Sequence, residues 1–166
     1  MFKLGHKYVI NGIAFSPNGR FLVSGSDDRS VRIWNIRDGS SQVLPLTSKT
    51  GYFLSVAFSP NGRYIAAGNW DSSLCIWDFR THNLVARWRG HRHSVRCIEF
   101  THDGRGLMTG SADQTVKYWD LSLLGDRRGV STGLAGKEEQ GFPELRSLLG
   151  HSVRLLLFFS PIVPHS

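Results

Sequence analysis

Short apolar runs separated by turn residues recur along this chain. Val9 to Phe15, Phe21 to Ser24 and Val31 to Ile36 are rich in β-branched and aromatic residues. Each run is too short for a helix and is bounded by Gly, Pro, Asn or Asp, the pattern of strands in an antiparallel meander. The same three runs return as Phe53 to Phe58, Tyr64 to Ala67 and Leu74 to Phe79, and again as Val95 to Phe100, Leu107 to Thr109 and Val116 to Leu121. A weaker, more polar run follows each set: Gln42 to Leu46, Leu84 to Trp88 and Leu145 to Leu149. Such a run suits an outer strand that must not pair with strangers.

The repetition extends to the wording. FSPNGRFLVSGSDDRSVRIW (15–34) returns as FSPNGRYIAAGNWDSSLCIW (58–77) and, more loosely, as FTHDGRGLMTGSADQTVKYW (100–119), at spacings of 43 and 42 residues. A period of roughly 40 to 45 residues with Gly-His and Trp-Asp landmarks is the signature of propeller blades. Ser16 to Gly19 and Ser59 to Gly62 read as turns, in which Pro presets φ and Gly accepts a positive one. The glycines Gly25, Gly68 and Gly110 read as closing the second strand of each unit, and a tight turn beyond them carries Asp28, Asp71 or Asp113. The predicted fold is therefore all-β: three four-stranded antiparallel blades and an incomplete fourth, an open partial propeller. Closed rings have roughly four to eight blades.

With these motifs the chain resembles the WD40 repeat over residues 1–121 and, in part, over 145–161. In that family a His, a Ser or Thr, the turn Asp and a Trp form a hydrogen-bonded chain inside the blade. The resemblance assigns this role to His6, Ser24, Asp28 and Trp34 in the first unit and to His91, Thr109, Asp113 and Trp119 in the third. The second unit keeps only Asp71 and Trp77, since Lys49 and Ala67 stand at the other two positions. On that reading the second blade has the weakest network and the least protection from hydrogen exchange.

The wording between landmarks, YIAAG followed by a repeat with FTHDG and a long polar insertion, looks like the later repeats of the fungal general transcriptional corepressor of the Tup/Groucho type. That resemblance implies a nuclear scaffold that binds DNA-binding repressors and histone tails. The domain reading is three repeats over 1–121, with blades starting at residues 9, 53 and 95 and residues 1–5 as the outer strand of a preceding blade. A polar loop then covers 122–144, and 145–166 hold the third outer strand and a truncated fourth repeat, so the chain is expected to be a fragment with open blade edges prone to self-association.

Composition narrows the chemistry. The net charge is +7, with 15 Arg and 5 Lys, but no basic run exceeds Arg127-Arg128. Arg20, Arg63 and Arg105 fall at one repeat position, which reads as a solvated surface rather than a nucleic-acid footprint. Cys75 and Cys97 both lie in apolar strand patterns and read as reduced core thiols of an intracellular protein. His91, His93, Cys97 and His102 are close in sequence, but strand alternation sends neighbours to opposite faces and no Cys-x-x-Cys completes a metal shell. SGSDD and TGSAD lack the Lys of a phosphate loop.

A Ser-His-Asp set invites a hydrolase reading. Here each set ends on an indole that can only donate, so no catalytic, metal or cofactor residues are assigned. Function is expected at the rim where the turns gather, with Asp27 and Trp70 at equivalent turn positions: Trp70 reads either as an aromatic anchor or as a packed residue stabilising its own turn, and Tyr52, His93, Arg96 and Asn11, near the starts of the first strands, are further candidates. The expected partners are proteins or peptide segments, without direct nucleic-acid or membrane contact. The alternatives are an adaptor or ubiquitin-ligase substrate receptor, and a truncated product without function.

Overall fold

The computed structural model describes residues 5–46, 51–125 and the strand 146–148. Strands β1(Ile10–Phe15), β2(Phe21–Ser26), β3(Val31–Asn35) and β4(Ser41–Val43) form one antiparallel sheet in sequence order. A second sheet comprises β5(Phe53–Phe58), β6(Tyr64–Asn69), β7(Ser73–Asp78) and β8(Leu84–Arg89). The third comprises β9(Val95–Phe100), β10(Gly106–Ser111), β11(Val116–Asp120) and β12(Arg146–Leu148), with a 3-10 turn, Ser122–Gly125, after β11. Each sheet is one blade. The proposed outer strand at residues 1–5, Lys49, most of the polar loop and the fourth repeat fall wholly or mostly outside the described residues.

Alternation along the strands divides the core into two inter-blade layers. Val23, Val31 and Ile33 of blade 1 pack against Phe53, Val56, Phe58, Ile65 and Trp77 of blade 2. The opposite face of blade 2, with Ala57, Ala66, Leu74 and Ile76, packs against Val95, Ile98, Phe100, Leu107 and Trp119 of blade 3. Every blade thus has a leading face, toward its predecessor in the chain, and a trailing face, toward its successor. Blade 2 is covered on both, so β6 is buried throughout and β7 along all but its last residue.

The inner strands do not stop at their glycines. They run through Gly25, Gly68 and Gly110 to Ser26, Asn69 and Ser111, because at the first two the glycine admits the next blade. A Cβ on Gly25 would lie 3.0 Å from both Phe53 Cβ and Val56 Cγ1, and one on Gly68 would lie 2.7 Å from Val95 Cγ1. Close approach of backbone, not chain reversal, is the reason for these residues.

Cys97 corrects a second expectation. Cys75 is buried, and burial pushes its thiol up to about 12. Cys97 is exposed, because its side chain takes the trailing side of blade 3, where alternation sends every second residue of β9.

Candidate functional site

The predicted side-chain chains assemble in blades 1 and 3. In blade 1 the Trp34 indole N–H donates to Ser24 Oγ at 2.7 Å, Ser24 Oγ lies 2.6 Å from His6 Nε2, and His6 Nδ1 lies 2.8 Å from Asp28 Oδ2. The carboxylate only accepts, so Nδ1 carries a proton, and in the neutral imidazole Nε2 accepts from the hydroxyl. Blade 3 repeats the arrangement with Trp119, Thr109, His91 and Asp113, at 2.8, 2.8 and 2.9 Å.

Burial works against ionised Asp28, but hydrogen bonds from the Ser30 hydroxyl, the Lys7 N–H and His6 outweigh it and hold the carboxyl down at about 2. Asp113 is lowered in the same way, burial being outweighed by Thr115, the Arg92 N–H and His91. The His and Asp side chains of both sets are almost wholly enclosed. A nucleophile needs an activated oxygen open to substrate; Ser24 and Thr109 are 1% exposed and serve the indole. Both sets tie a strand to the turn and to the approach of the first strand of their blade.

In blade 2, Ala67 breaks the chain and other groups take its place. The Trp77 indole donates to the Pro45 carbonyl at 2.8 Å. Asp71 accepts from Arg87 at 3.2 Å and lies 3.7 Å from Arg89, both on β8. The network expected to be weakest is replaced by an ion-paired one in the best-covered blade. Only long-range pairing reveals this, and the sequence carries no local sign of it.

The rim is built by one device used three times. Each first strand holds a β-bulge: register is lost between Ile10 and Gly12, between Phe53 and Ser55, and between Gly110 and Ser111, which brackets Arg96. The extra residues, Asn11, Leu54 and Arg96, are re-aimed as bulges re-aim side chains. The residue before each turn Asp is then clamped to the approach of that strand: the N–H groups of Asp27, Trp70 and Ala112 donate to the carbonyls of Val9, Tyr52 and Ser94, at 2.9, 2.8 and 3.0 Å. Residues after the turn Asp, Arg29, Ser72 and Gln114, adopt left-handed φ of 67, 71 and 69°. They follow the pattern of a type I turn closed by a left-handed residue.

On this frame the predicted rim residues divide into two groups. Asn11 Nδ2 donates to Asp27 Oδ1 at 2.7 Å and to the Phe53 carbonyl at 3.0 Å, tying blade 1 to blade 2. The Arg96 guanidinium of blade 3 sits 5.1 Å from the centre of the Trp70 ring of blade 2. Trp70 remains 51% exposed and Tyr52 40%. His93 is exposed and spends its carbonyl on Ser111 Oγ, at 3.0 Å. Tyr8, the counterpart of His93 in blade 1, was not predicted. With Asp27, Asp28, Arg29 and Tyr52 it lines a cleft of about 530 Å³. Its position just before a strand start, matching His93, was the available signal. His102 is exposed and His91 is turned inward, so the run from His91 to His102 does not converge.

The WD40 model, described as WD domain, G-beta repeat, matches residues 1–35, 41–78 and 82–120. The chain belongs to the WD40-repeat family. It is 33% identical over 130 residues to a ribosome biogenesis protein WDR12 homolog of Drosophila persimilis, covering 77% of this chain and 24% of that protein. To protein groucho of Drosophila melanogaster it is 30% identical over 113 residues, covering 68% of this chain and 16% of groucho. The chain thus spans about a quarter or less of these relatives' length. Among solved structures, that of U3-55K superposes with a TM-score of 0.68 at 25% identity, and that of the RRP9 WD40 repeats with 0.67 at 26%. Each match covers 72% of this chain and 38% or 37% of the other. The groucho similarity is lower and shorter than that to the WDR12 homolog, so these WD40 repeats do not single out the corepressor lineage. No helix among the described residues is long and apolar enough to cross a membrane.

Proposed function

We propose that this chain is a non-catalytic docking module whose rim of turns and bulges binds peptide segments of partner proteins. The observation that carries the reading is Trp70: half exposed, yet fixed through its backbone to Tyr52 and through its ring to Arg96. A rigid exposed aromatic loses little freedom on binding and makes an efficient anchor. Tyr52 and Tyr8 extend the aromatic surface, and Asp27 and Arg96 offer both signs of charge to the flanks of a peptide.

In the corepressor setting implied by the Tup/Groucho resemblance, the peptides are segments of DNA-binding repressors and histone tails, and the place of action is the nucleus. A second setting, in ribosome biogenesis, is favoured by the longer similarity to the WDR12 homolog. Both settings employ the same rim.

The test is fluorescence anisotropy with labelled histone-tail and repressor peptides. Trp70→Ala should weaken binding at least about tenfold, equivalent to roughly 1.4 kcal/mol, with little dependence on salt. Unchanged affinity in that variant would remove the rim from the account, and a steep salt dependence on DNA would replace peptide docking with nucleic-acid binding. Enrichment of the tagged chain on chromatin or on pre-ribosomal particles separates the two settings.

A further inference from the structure

The rim is not alike at the two described junctions between blades. Where blade 2 meets blade 3, the turn residue is Trp70 and the bulge residue is Arg96, whose guanidinium sits 5.1 Å from the centre of that ring. A guanidinium is planar and weakly hydrated, so it stacks readily on aromatic faces. This junction holds an aromatic ring and its cation within one chain.

Where blade 1 meets blade 2, the turn residue is Asp27 and the bulge residue is Leu54, which brings no charge. Tyrosines stand just before both first strands, Tyr8 before β1 and Tyr52 before β5. Together with Asp27, Asp28 and Arg29 they line the cleft of about 530 Å³, and all five residues belong to blades 1 and 2. Tyr8 is 69% exposed. His93, at the same position of blade 3, is exposed although blade 2 lies before it, so the openness of Tyr8 follows from its place on the rim.

The two carboxylates have separate tasks. Asp28 is engaged inside its blade: Oδ2 accepts from the Lys7 N–H and from His6, and Oδ1 accepts from Ser30. It adds charge to the cleft and no contact for a ligand. Asp27 takes the Asn11 amide on Oδ1 at 2.7 Å, and no described residue hydrogen-bonds to its Oδ2. That bond and the Asp27 N–H bond to the Val9 carbonyl hold the carboxylate in place. Two carboxylates against the one guanidinium of Arg29 leave the cleft with a net negative charge.

We propose that this cleft is a subsite for an arginine side chain of the docked peptide, its guanidinium lying against the tyrosines and donating to Asp27 Oδ2. The ligand supplies here what Arg96 supplies at the next junction. The subsite rests on the peptide-docking reading of the rim and adds the identity of one peptide residue. Tyr52 gives its carbonyl to the Trp70 N–H, so the cleft adjoins the Trp70 anchor and one short peptide spans both.

The probe is a labelled peptide, Leu-Gly-Arg-Gly-Leu-Gly, with a twin that carries citrulline, the neutral isostere, in place of arginine. Fluorescence anisotropy with the full chain should show the arginine peptide binding about three- to fivefold tighter, the upper range for a partly exposed ion pair. Asp27→Asn keeps the shape and the acceptor for Asn11, and should bring the two peptides within about twofold of each other. Tyr8→Ala should narrow the difference, and Tyr8→Phe, which keeps the π face, should preserve it. Arg29→Gly removes the opposing charge and suits the left-handed φ of 67° at that position, so it should widen the difference. Trp70→Ala should weaken both peptides alike and leave their ratio unchanged.

Equal affinity of the parent chain for both peptides would overturn the subsite, and so would a difference that survives Asp27→Asn. A difference abolished by Trp70→Ala would move the cation onto the Trp70 ring and overturn the cleft as well. If Trp70→Ala changes neither affinity while Asp27→Asn still removes the difference, the anchor fails and the subsite stands.

Discussion

Thr109 joins an indole donor to an imidazole acceptor through one oxygen. Thr109→Val keeps the shape but leaves the Trp119 N–H and His91 Nε2 buried without that partner. Each buried group left unpaired costs about 1–3 kcal/mol, so urea denaturation should show a loss of about 2–4 kcal/mol; a loss under about 0.5 kcal/mol would mean that the chain is ornamental. Asp28 sets the acid behaviour. Its folded carboxyl sits at about 2, below the ordinary 3.8, so the unfolded chain binds the proton more readily and the stabilisation is complete above about pH 4. It is lost as pH falls through the folded value. A shift of this size is about 2 kcal/mol. The stability gap between the parent and Asp28→Asn should therefore shrink from pH 5 to pH 2, and a constant gap would contradict the assignment. These residue identities were legible in the sequence because the landmarks recur at a fixed period. Their replacement in blade 2 was not: Asp71 meets Arg87 only once β7 and β8 are paired.

The strands themselves show what periodicity reports and what it hides. β5 and β9 begin and end where alternation and turn residues place them, since both are bounded by Gly, Pro or Asp signals. β2 and β6 run past the predicted stops because their glycines answer to a neighbouring blade, a contact about 30 residues away in the chain, and β10 extends through Gly110 as well, where the nearest side chain is Cys97 of its own blade. The bulges at Asn11, Leu54 and Arg96 leave no mark on the apolar pattern, so Leu54 and Tyr8 went unnoticed at the rim. Two outcomes belong to this scale. Gly68→Val forces a side chain into Val95 and should cost about 1–3 kcal/mol by overpacking, read as a lower thermal midpoint. Hydrogen exchange should be slowest in β6 and β7, which are covered on both faces, and faster in β1 and β4. This is the reverse of the ranking that the absent His and Ser imply. Equal rates in β6 and β1 would show that inter-blade cover does not govern local opening.

At the scale of the molecule, three blades share two apolar layers and present their turns on a common rim. The fold was readable from the repeat alone, because a 43-residue period admits few architectures. The function was readable only as a class, because a propeller does not specify its ligand. The rim therefore bears the central claim, and the tryptophans are its reporters. The chain has five, of which Trp34, Trp77 and Trp119 are buried donors within blades, Trp88 is buried beside Trp119, and Trp70 is open. The most direct measurement is the proton–nitrogen correlation spectrum of the indole groups during titration with a partner peptide. The account predicts that the Trp70 signal moves while those of Trp34, Trp77, Trp88 and Trp119 stay in place. Movement of the buried signals with Trp70 unchanged would contradict it.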